Sequence, residues 1–232
     1  MSKVLWKGKD VLRIVKGHGP SDWNAYGISI DTRTLRKGDI FFALAGPNYD
    51  GHQFINEAIK KGACVVISNA PVLNYEKKVI VVNDVLKALI ALGKSSRNRN
   101  KGKIIAVTGS SGKTTVKEML ALSLSDSGKI HYSQSSYNNK IGVSLSLARM
   151  PSDTDFSIFE VGMNNYGEIS YLSKMLKPDI GLINNAGSAH IKYFKSKKEI
   201  EKEKLELIHG LNSGGSLVLN EDISINKSIK NF

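Results

Sequence analysis

The feature that most constrains this chain is a short apolar run that leads into a glycine loop, a lysine and two threonines. Residues 104–107 are apolar and rich in β-branched side chains, which indicates a buried strand. The loop 109–112 follows, and residues 116–124 continue as a helix-like segment. Glycines let backbone N–H groups point at an anion, and a helix N-terminus adds partial positive charge. The order of these segments predicts a nucleotide phosphate site.

Two side chains at the start of this helix suit that chemistry. Lys113 can reach terminal phosphates, and the Thr114 hydroxyl can ligate Mg²⁺. The pattern is a shortened P-loop, because Val107 stands where the strict pattern has its first glycine. The alternative is an ordinary Gly/Ser turn before a helix, but strand, loop, lysine and helix agree with one another.

Composition narrows the class of protein. The chain has 232 residues, of which 41% are hydrophobic and 23% charged, as in a soluble protein of one or two domains. No apolar run approaches the ~20 residues that span a bilayer, so we expect no stable membrane insertion. The single cysteine, Cys64, excludes a disulfide scaffold and favours a cytoplasmic location.

The formal charge of +12 raises the question of an anionic partner. The lysines are spread along the chain, and no basic stripe interleaved with aromatic residues occurs. We therefore expect no nucleic-acid partner. Nucleotides and diphosphates also suit a basic protein, since positive potential steers them.

A polar stretch around residues 98–102 divides the chain into two blocks. We predict an N-terminal domain over residues 1–98 and a central domain over residues 103–232. In both blocks short apolar runs alternate with helical patterns, which indicates an α/β fold with a mostly parallel sheet. Helices are expected over residues 141–148, 167–176 and 196–211, among others.

Three polar clusters of the second block follow predicted strands. They are the phosphate loop, residues 160–165 and residues 184–190. Ligands of open α/β sheets bind beyond the carboxyl ends of the strands, so we expect these clusters to converge. Glu160 is the acid expected to hold Mg²⁺ beside the phosphates. Taken singly, Glu160 is equally compatible with a helix cap and His190 with a surface histidine.

These residues resemble the Mur ligases, the ATP-dependent amide-forming enzymes of bacterial peptidoglycan synthesis, over nearly the whole chain. Residues 108–115 are similar to the family ATP loop, and residues 29–33, 37–41 and 50–54 to the UDP-binding domain. Residues 137–143, residues 160–164 with 167–169, and residues 189–191 with Phe194 favour the dipeptide-adding members. The alternatives are a tripeptide-forming ligase and a folylpolyglutamate-type relative, and residues 138–139 and 160–164 argue against both. Lys195 departs from the glycine usual in that turn.

The resemblance implies a set of binding residues. The ATP-binding residues would be Thr108, Gly109, Ser110, Ser111, Gly112, Lys113, Thr114 and Thr115. The UDP-substrate residues would be Ser29, Asp31, Thr32, Arg33, Asp50, Gly51, His52, Asn138 and Asn139.

The resemblance also implies catalytic and metal-holding residues. Lys113 would bind ATP phosphates, and Thr114 with Glu160 would hold a first Mg²⁺. His190 would help to hold a second Mg²⁺, together with Lys204 if this lysine is carbamoylated. The alternative for Lys204 is a solvated lysine in a charge-rich helix.

The implied reaction uses ATP and Mg²⁺. ATP would phosphorylate the carboxylate of UDP-N-acetylmuramoyl-tripeptide, and the amine of D-alanyl-D-alanine would then attack the acyl phosphate. Relatives continue into a further domain, so we expect this chain to be an amino-terminal portion that is inactive alone, of a protein whose full-length relatives are monomeric. A non-catalytic module that binds a nucleotide or UDP-sugar is the alternative from another class.

Overall fold

The structure, a computed structural model, describes residues 3–47, 49–133, 135–187, 194, 196–221 and 223. The chain divides into two units. The first contains the residues up to Arg99 together with Leu147–Ser152, and the second contains Asn100–Ser146 and the residues from Asp153 onward. Within the described ranges, no helix is long and apolar enough to cross a membrane.

The strands of the first unit are β1 (Trp6–Lys7), β2 (Asn24–Ala25), β3 (Gly27–Ser29), β4 (Asp39–Phe42), β5 (Ala45–Gly46), β6 (Tyr49–Asp50), β7 (Val65–Ser68) and β8 (Val79–Val81). Four of them form a parallel sheet in the order β3-β4-β7-β8. The helices of this unit are α1 (Gly8–Val15), α2 (Ile55–Lys60) and α3 (Val85–Arg99), with a 3-10 turn over Gly51–Phe54. Every residue of β4 and β7 is buried, as in a sheet that helices cover on both faces.

The first unit also contains a short return of the chain, residues 147–152. The indole N–H of Trp6 donates to the carbonyl oxygen of Ala148 at 2.8 Å. The Ser96 hydroxyl and the Arg99 guanidinium both donate to the carbonyl oxygen of Met150, at 3.0 and 3.2 Å. Arg99 also stacks 3.7 Å above the Trp6 ring. The predicted division of the sequence did not include this return.

The strands of the second unit are β9 (Lys103–Thr108), β10 (Ile130–Tyr132), β11 (Phe156–Glu160), β12 (Ile180–Ile183) and β13 (Ser216–Leu219). They form a parallel sheet in the order β10-β11-β9-β12-β13. The helices of this unit are α4 (Lys113–Leu124), α5 (Lys140–Arg149), α6 (Glu168–Leu176) and α7 (Lys197–Leu205), with a 3-10 turn over Glu206–Gly210. The α/β class with mostly parallel sheets is confirmed.

The strand order places the site. Strand β9 lies between β11 and β12, with Val107 opposite Glu160 and Thr108 opposite Ile183. The loops after these three strands therefore meet at one edge of the sheet. At this edge the chain connections from neighbouring strands run to opposite sides, which is where ligands of such sheets bind. Helix α4 packs back on β9 and β11 through a cluster that includes Val107, Ala121 and Ile158.

The helix predicted over residues 196–211 is shorter than expected. Ser196 caps it, accepting from the N–H of Glu199, and the helix ends at Leu205 in a 3-10 turn. The reason is packing against α6: the Ser173 hydroxyl donates to the carbonyl oxygen of Leu207, and a side chain at Gly210 would collide with the Ser173 backbone. Tertiary contact tightens the last turn.

Candidate active site

The loop between β9 and α4 has the conformation that an anion cradle requires. Gly112 adopts a positive φ of 74°, which disfavours any other residue, and α4 begins directly after it. A Cβ atom at Gly112 would also lie 2.8 Å from the side-chain nitrogen of Asn184. The first backbone N–H groups of α4 have no partner within the helix and face the loop end.

Two asparagines that follow β12 hold this loop. The Asn185 carboxamide oxygen accepts from the backbone N–H of Ser110 at 2.9 Å and of Ser111 at 3.0 Å. The side-chain nitrogen of Asn184 donates to the carbonyl oxygen of Ser111 at 3.0 Å. The sequence placed residues 184–190 at this edge but assigned no role to Asn184 or Asn185. Their positioning role is visible only from the contacts.

The lysine and threonines of the predicted phosphate site open helix α4. The Lys113 ammonium donates to the carbonyl oxygen of Gly109 at 2.8 Å and is half-buried. Burial lowers the pKa of Lys113, opposed by the negative field of Glu160. The Thr114 hydroxyl lies 3.1 Å from that of Ser136, and Thr115 is exposed in the same turn. The buried hydroxyl of Thr108 has no hydrogen-bond partner among the described residues.

Glu160 ends strand β11 next to this loop and is only 1% exposed. Neither carboxylate oxygen accepts a hydrogen bond from any described residue. The Lys117 ammonium lies 3.3 Å from Oε1 as an ion pair without hydrogen-bond geometry. Because Glu160 belongs to a strand, the helix-cap alternative is excluded.

Lys204 lies on the inner face of α7 and is 2% exposed. Burial, assisted by the positive field of Lys113, lowers its pKa to about 8. The neighbouring Glu203 accepts from the backbone N–H of Gly167 at 2.7 Å, and burial raises its pKa. The solvated-lysine alternative for Lys204 is therefore wrong. His190 falls outside the described residues.

The predicted UDP-substrate residues fall into two groups. Seven of them lie at the carboxyl edge of the first unit's sheet, at the end of β3 or in the segments after β3 and β4: Ser29, Asp31, Thr32, Arg33, Asp50, Gly51 and His52. The other two belong to the second unit. There the Asn139 carboxamide oxygen accepts from the Gly142 N–H at the start of α5, and the Asn138 carbonyl accepts from the Gly162 N–H.

The segment after β3 presents an arginine to solvent in a fixed orientation. Arg33 is 86% exposed, and its guanidinium donates to both oxygens of the Asp31 carboxylate. These hydrogen bonds lower the pKa of Asp31. The Ser29 hydroxyl donates to the Asp31 carbonyl oxygen at 2.8 Å, and the Lys61 ammonium donates to that of Thr32 at 2.9 Å.

The segment after β4 meets the first one at the same edge. The Tyr49 hydroxyl donates to the carbonyl oxygen of Ile30 at 3.1 Å. Asp50 accepts from the His52 backbone N–H and contacts its ring Nδ1 at 2.6 Å, and the backbone bond lowers the pKa of Asp50. A side chain at Gly51 would come within 2.6 Å of the Leu44 carbonyl oxygen, so glycine is required there.

Two cavities lie in the second unit. One of about 290 Å³ opens at the amino ends of the strands, near Lys103 and Asp179, and so faces away from the phosphate loop. The other, of about 220 Å³, lies at the start of α5 and α6. Tyr166 and Tyr171 line it, and the Lys140 ammonium sits 5.1 Å from the Tyr171 ring centre.

A metal ion here would depend on the nucleotide. Among the described residues, no group of three or more histidine, cysteine or carboxylate side chains could hold a metal. Mg²⁺ characteristically binds one or two carboxylates together with substrate phosphates. The unbonded oxygens of Glu160 and the Thr114 hydroxyl beside the phosphate loop fit that mode.

Comparison with known proteins agrees with this geometry. Residues 107–232 match the Mur ligase middle domain, and residues 24–110 match the Mur ligase family catalytic domain. The UDP-N-acetylmuramoyl-tripeptide–D-alanyl-D-alanine ligase of Rickettsia prowazekii is 37% identical, over 94% of this chain and 48% of its own length. The Synechocystis enzyme of the same name is 41% identical, over 84% of this chain and 43% of its own. The chain spans about half the length of the curated relatives it matches.

Solved structures give the same result. MurF from Acinetobacter baumannii superposes with a TM-score of 0.86 and 31% identity, over 97% of this chain and 51% of that one. MurF ligase from Thermotoga maritima in complex with ADP superposes with a TM-score of 0.73 and 28% identity, over 88% of this chain and 47% of that one.

Proposed function

Because the chain belongs to the Mur ligase family, we propose that it provides the ATP site and the UDP-substrate site of a ligase that adds D-alanyl-D-alanine to UDP-N-acetylmuramoyl-tripeptide. Two relatives that bear this name are 37% and 41% identical to it. The observation that carries the proposal is the phosphate loop of β9 and α4 beside Glu160, whose buried carboxylate accepts no hydrogen bond from any described residue.

ATP would bind with its phosphates over this loop. The N-terminal N–H groups of α4 would receive the phosphate oxygens, and Lys113 would leave the Gly109 carbonyl to contact the terminal phosphates. The Thermotoga maritima relative, solved with ADP, supports a nucleotide here. Dependence on ATP also favours a cytoplasmic location.

Mg²⁺ would be held by Glu160 and Thr114 together with the phosphates. When bound, the ion supplies positive charge that stabilises the transferring phosphoryl group. Glu160 suits this role because its carboxylate is fixed at a strand end and has free lone pairs. His190 is proposed as a ligand of a second Mg²⁺ from the family resemblance alone.

Lys204 is proposed as the site of a carbamate. Its lowered pKa leaves a substantial neutral fraction of the amine near pH 8, and only the neutral amine attacks CO₂. The new N–C bond forms as one C=O π bond opens, and the nitrogen releases a proton. The resulting carbamate would place oxygen ligands near Lys113, whose positive field already acts on this side chain.

The sugar nucleotide would bind at the carboxyl edge of the first unit. Arg33 offers a bidentate donor for a diphosphate, and Asp31 holds it in place. The substrate carboxylate would attack the γ-phosphorus of ATP, giving an acyl phosphate and ADP. The amine of D-alanyl-D-alanine would then attack the acyl carbon and expel phosphate.

Calorimetry on the chain tests this function. We expect ATP with Mg²⁺ to bind, and UDP-N-acetylmuramoyl-tripeptide to bind more tightly than the dipeptide form that the tripeptide-forming ligases use. Binding of the tripeptide form in preference to the dipeptide form would separate the ligase portion from a module that only binds a nucleotide or UDP-sugar. Failure to bind ATP would reject the proposal.

A further inference from the structure

Lys117 is the least expected residue of the second unit. It lies one helical turn after Lys113 on α4, yet its side chain is completely buried. Its ammonium donates to the carbonyl oxygen of Ser133 at 2.5 Å and lies 3.0 Å from the Glu118 carboxylate. It also lies 3.3 Å from Oε1 of Glu160. Three elements thus meet at one ammonium group: α4, the end of β11 and the segment after β10.

Lys117 and Glu160 differ in the number of their partners. Lys117 has three oxygen partners, whereas Glu160 has no hydrogen-bond donor among the described residues and only this ammonium as an ion-pair partner. A buried carboxylate without a compensating charge is strongly destabilising. In the ligand-free chain, the charge of Glu160 is therefore balanced by Lys117.

We propose that Lys117 is a positioning residue that holds the Glu160 carboxylate at the strand end and shares it with Mg²⁺ when the metal binds. This inference rests on the proposed function, which assigns Mg²⁺ to Glu160. The Lys117 side chain is completely buried, so it positions Glu160 without contacting the nucleotide. Since residues four apart on a helix share a face, α4 links the phosphate-binding Lys113 directly to the residue that holds the metal ligand.

Removing Lys117 should change the response to Mg²⁺, which the loss of a purely structural lysine would not do. Without Lys117, the buried carboxylate loses its ion-pair partner and keeps only the field of Lys113 until Mg²⁺ arrives. Mg²⁺ should therefore stabilise a variant without this ammonium more than it stabilises the wild type. The ligand-free protein should in turn be less stable.

The test is a double-mutant cycle of Lys117→Met, Glu160→Gln and the double variant, read by thermal unfolding. Each protein is measured alone, with ADP, and with ADP plus Mg²⁺. We expect Lys117→Met to unfold at a lower temperature and its Mg²⁺-dependent shift to be about twice that of the wild type. The double variant should unfold above Lys117→Met and show no Mg²⁺-dependent shift. Lys174→Met, an exposed lysine on α6, is the control for the lost charge.

If Lys117→Met does not fold, Lys117→Arg is measured in its place. The arginine retains the charge, so its Mg²⁺ dependence should stay close to that of the wild type. The inference is overturned if the Mg²⁺-dependent shift of the unfolding temperature is equal in wild type and Lys117→Met. It is also overturned if the double variant unfolds no higher than Lys117→Met. If Lys117→Met is insoluble, a Lys117→Arg variant without the Mg²⁺-dependent shift overturns it. If Mg²⁺ does not shift the unfolding temperature of the wild type, the assignment of Mg²⁺ to Glu160 is rejected. The double-mutant cycle without ligand would still measure the Lys117–Glu160 ion pair.

Discussion

The side-chain oxygen of Asn185 accepts a hydrogen bond from the backbone N–H of Ser110, 75 residues earlier in the chain, at 2.9 Å. The same oxygen accepts from Ser111, so one carboxamide holds two consecutive amides of the phosphate loop. The loop is thus shaped before any ligand binds, by a residue that follows the neighbouring strand β12. Preorganisation of this kind lowers the ordering cost of binding.

Removing this carboxamide should weaken nucleotide binding. Asn185→Ala deletes the two hydrogen bonds that its oxygen accepts from the loop amides, and two more that its nitrogen donates to Ser111 at 3.2 Å. The two amide bonds orient the loop N–H groups and are worth about 1 kcal/mol each, so we expect ATP affinity to fall roughly ten- to thirty-fold. Asn184→Ala deletes a single bond to the Ser111 carbonyl and should cost less. Calorimetric titration of both variants measures the difference, and equal affinities would show that the loop does not depend on Asn185.

Lys113→Ala should abolish most of the ATP affinity with little loss of stability. The ammonium is half-buried and donates to the neutral Gly109 carbonyl, so its removal breaks no ion pair of the described residues. A charged contact to phosphate is worth about 1.5–3 kcal/mol, which corresponds to roughly a ten- to hundred-fold loss. Titration with ATP gives the affinity and thermal unfolding serves as the check on folding. Unchanged affinity would remove the phosphate site from this loop.

Lys204 should make stability depend on pH. Its pKa is about 8 in the folded chain against an ordinary value of 10.5. Between these values the unfolded chain binds more protons than the folded one, so the free energy of unfolding should rise with pH from about 8 to 10.5. Below about pH 8 the lysine is protonated in both states and contributes no slope.

The size of this effect is on the order of 3 kcal/mol across the window. Urea unfolding in CO₂-free buffer, compared between wild type and Lys204→Met, isolates it from other groups. The comparison is needed because burial raises the pKa of Cys64 to about 12, which gives a slope of opposite sign at higher pH. Parallel pH profiles for the two proteins would contradict the burial of Lys204.

Arg33→Ala should weaken UDP-substrate binding. The guanidinium is exposed but oriented by two bonds to Asp31, so its loss should reduce affinity roughly tenfold. Arg13→Ala is the matched control, since Arg13 is an exposed arginine of the same unit that pairs with Asp10. Titration with UDP compares them, and an equal effect of the two variants would mean that only net charge matters.

The return of residues 147–152 should stabilise the first unit. We expect residues 1–99 to fold alone, but without the carbonyl partners of Trp6, Ser96 and Arg99. Three hydrogen bonds at about 1 kcal/mol each suggest a loss of a few kcal/mol. Adding residues 147–152 through a flexible linker should raise the unfolding midpoint, and a scrambled version of the six residues should not. A disordered spectrum for both proteins would mean that the unit does not fold separately.

Much of this protein is determined by local sequence. The apolar run of β9, the glycine that turns at positive φ and the lysine that opens α4 predict the phosphate loop, because steric and helical rules act within a few residues. Alternating strand and helix patterns predict parallel sheets for the same reason. These features are present in the structure as expected.

Only the tertiary structure decided which polar groups meet. Lys113 and Lys117 are one turn apart in the same helix, yet one reaches the loop and the other is buried against Glu160. The sequence cannot separate them, since that outcome depends on β11 lying beside β9 with Glu160 opposite Val107. The burial of Lys204 and the hydrogen bonds between Asn185 and the loop likewise depend on the strand order and on the removal of these side chains from water. These are properties of the packed sheet, and no local pattern encodes them.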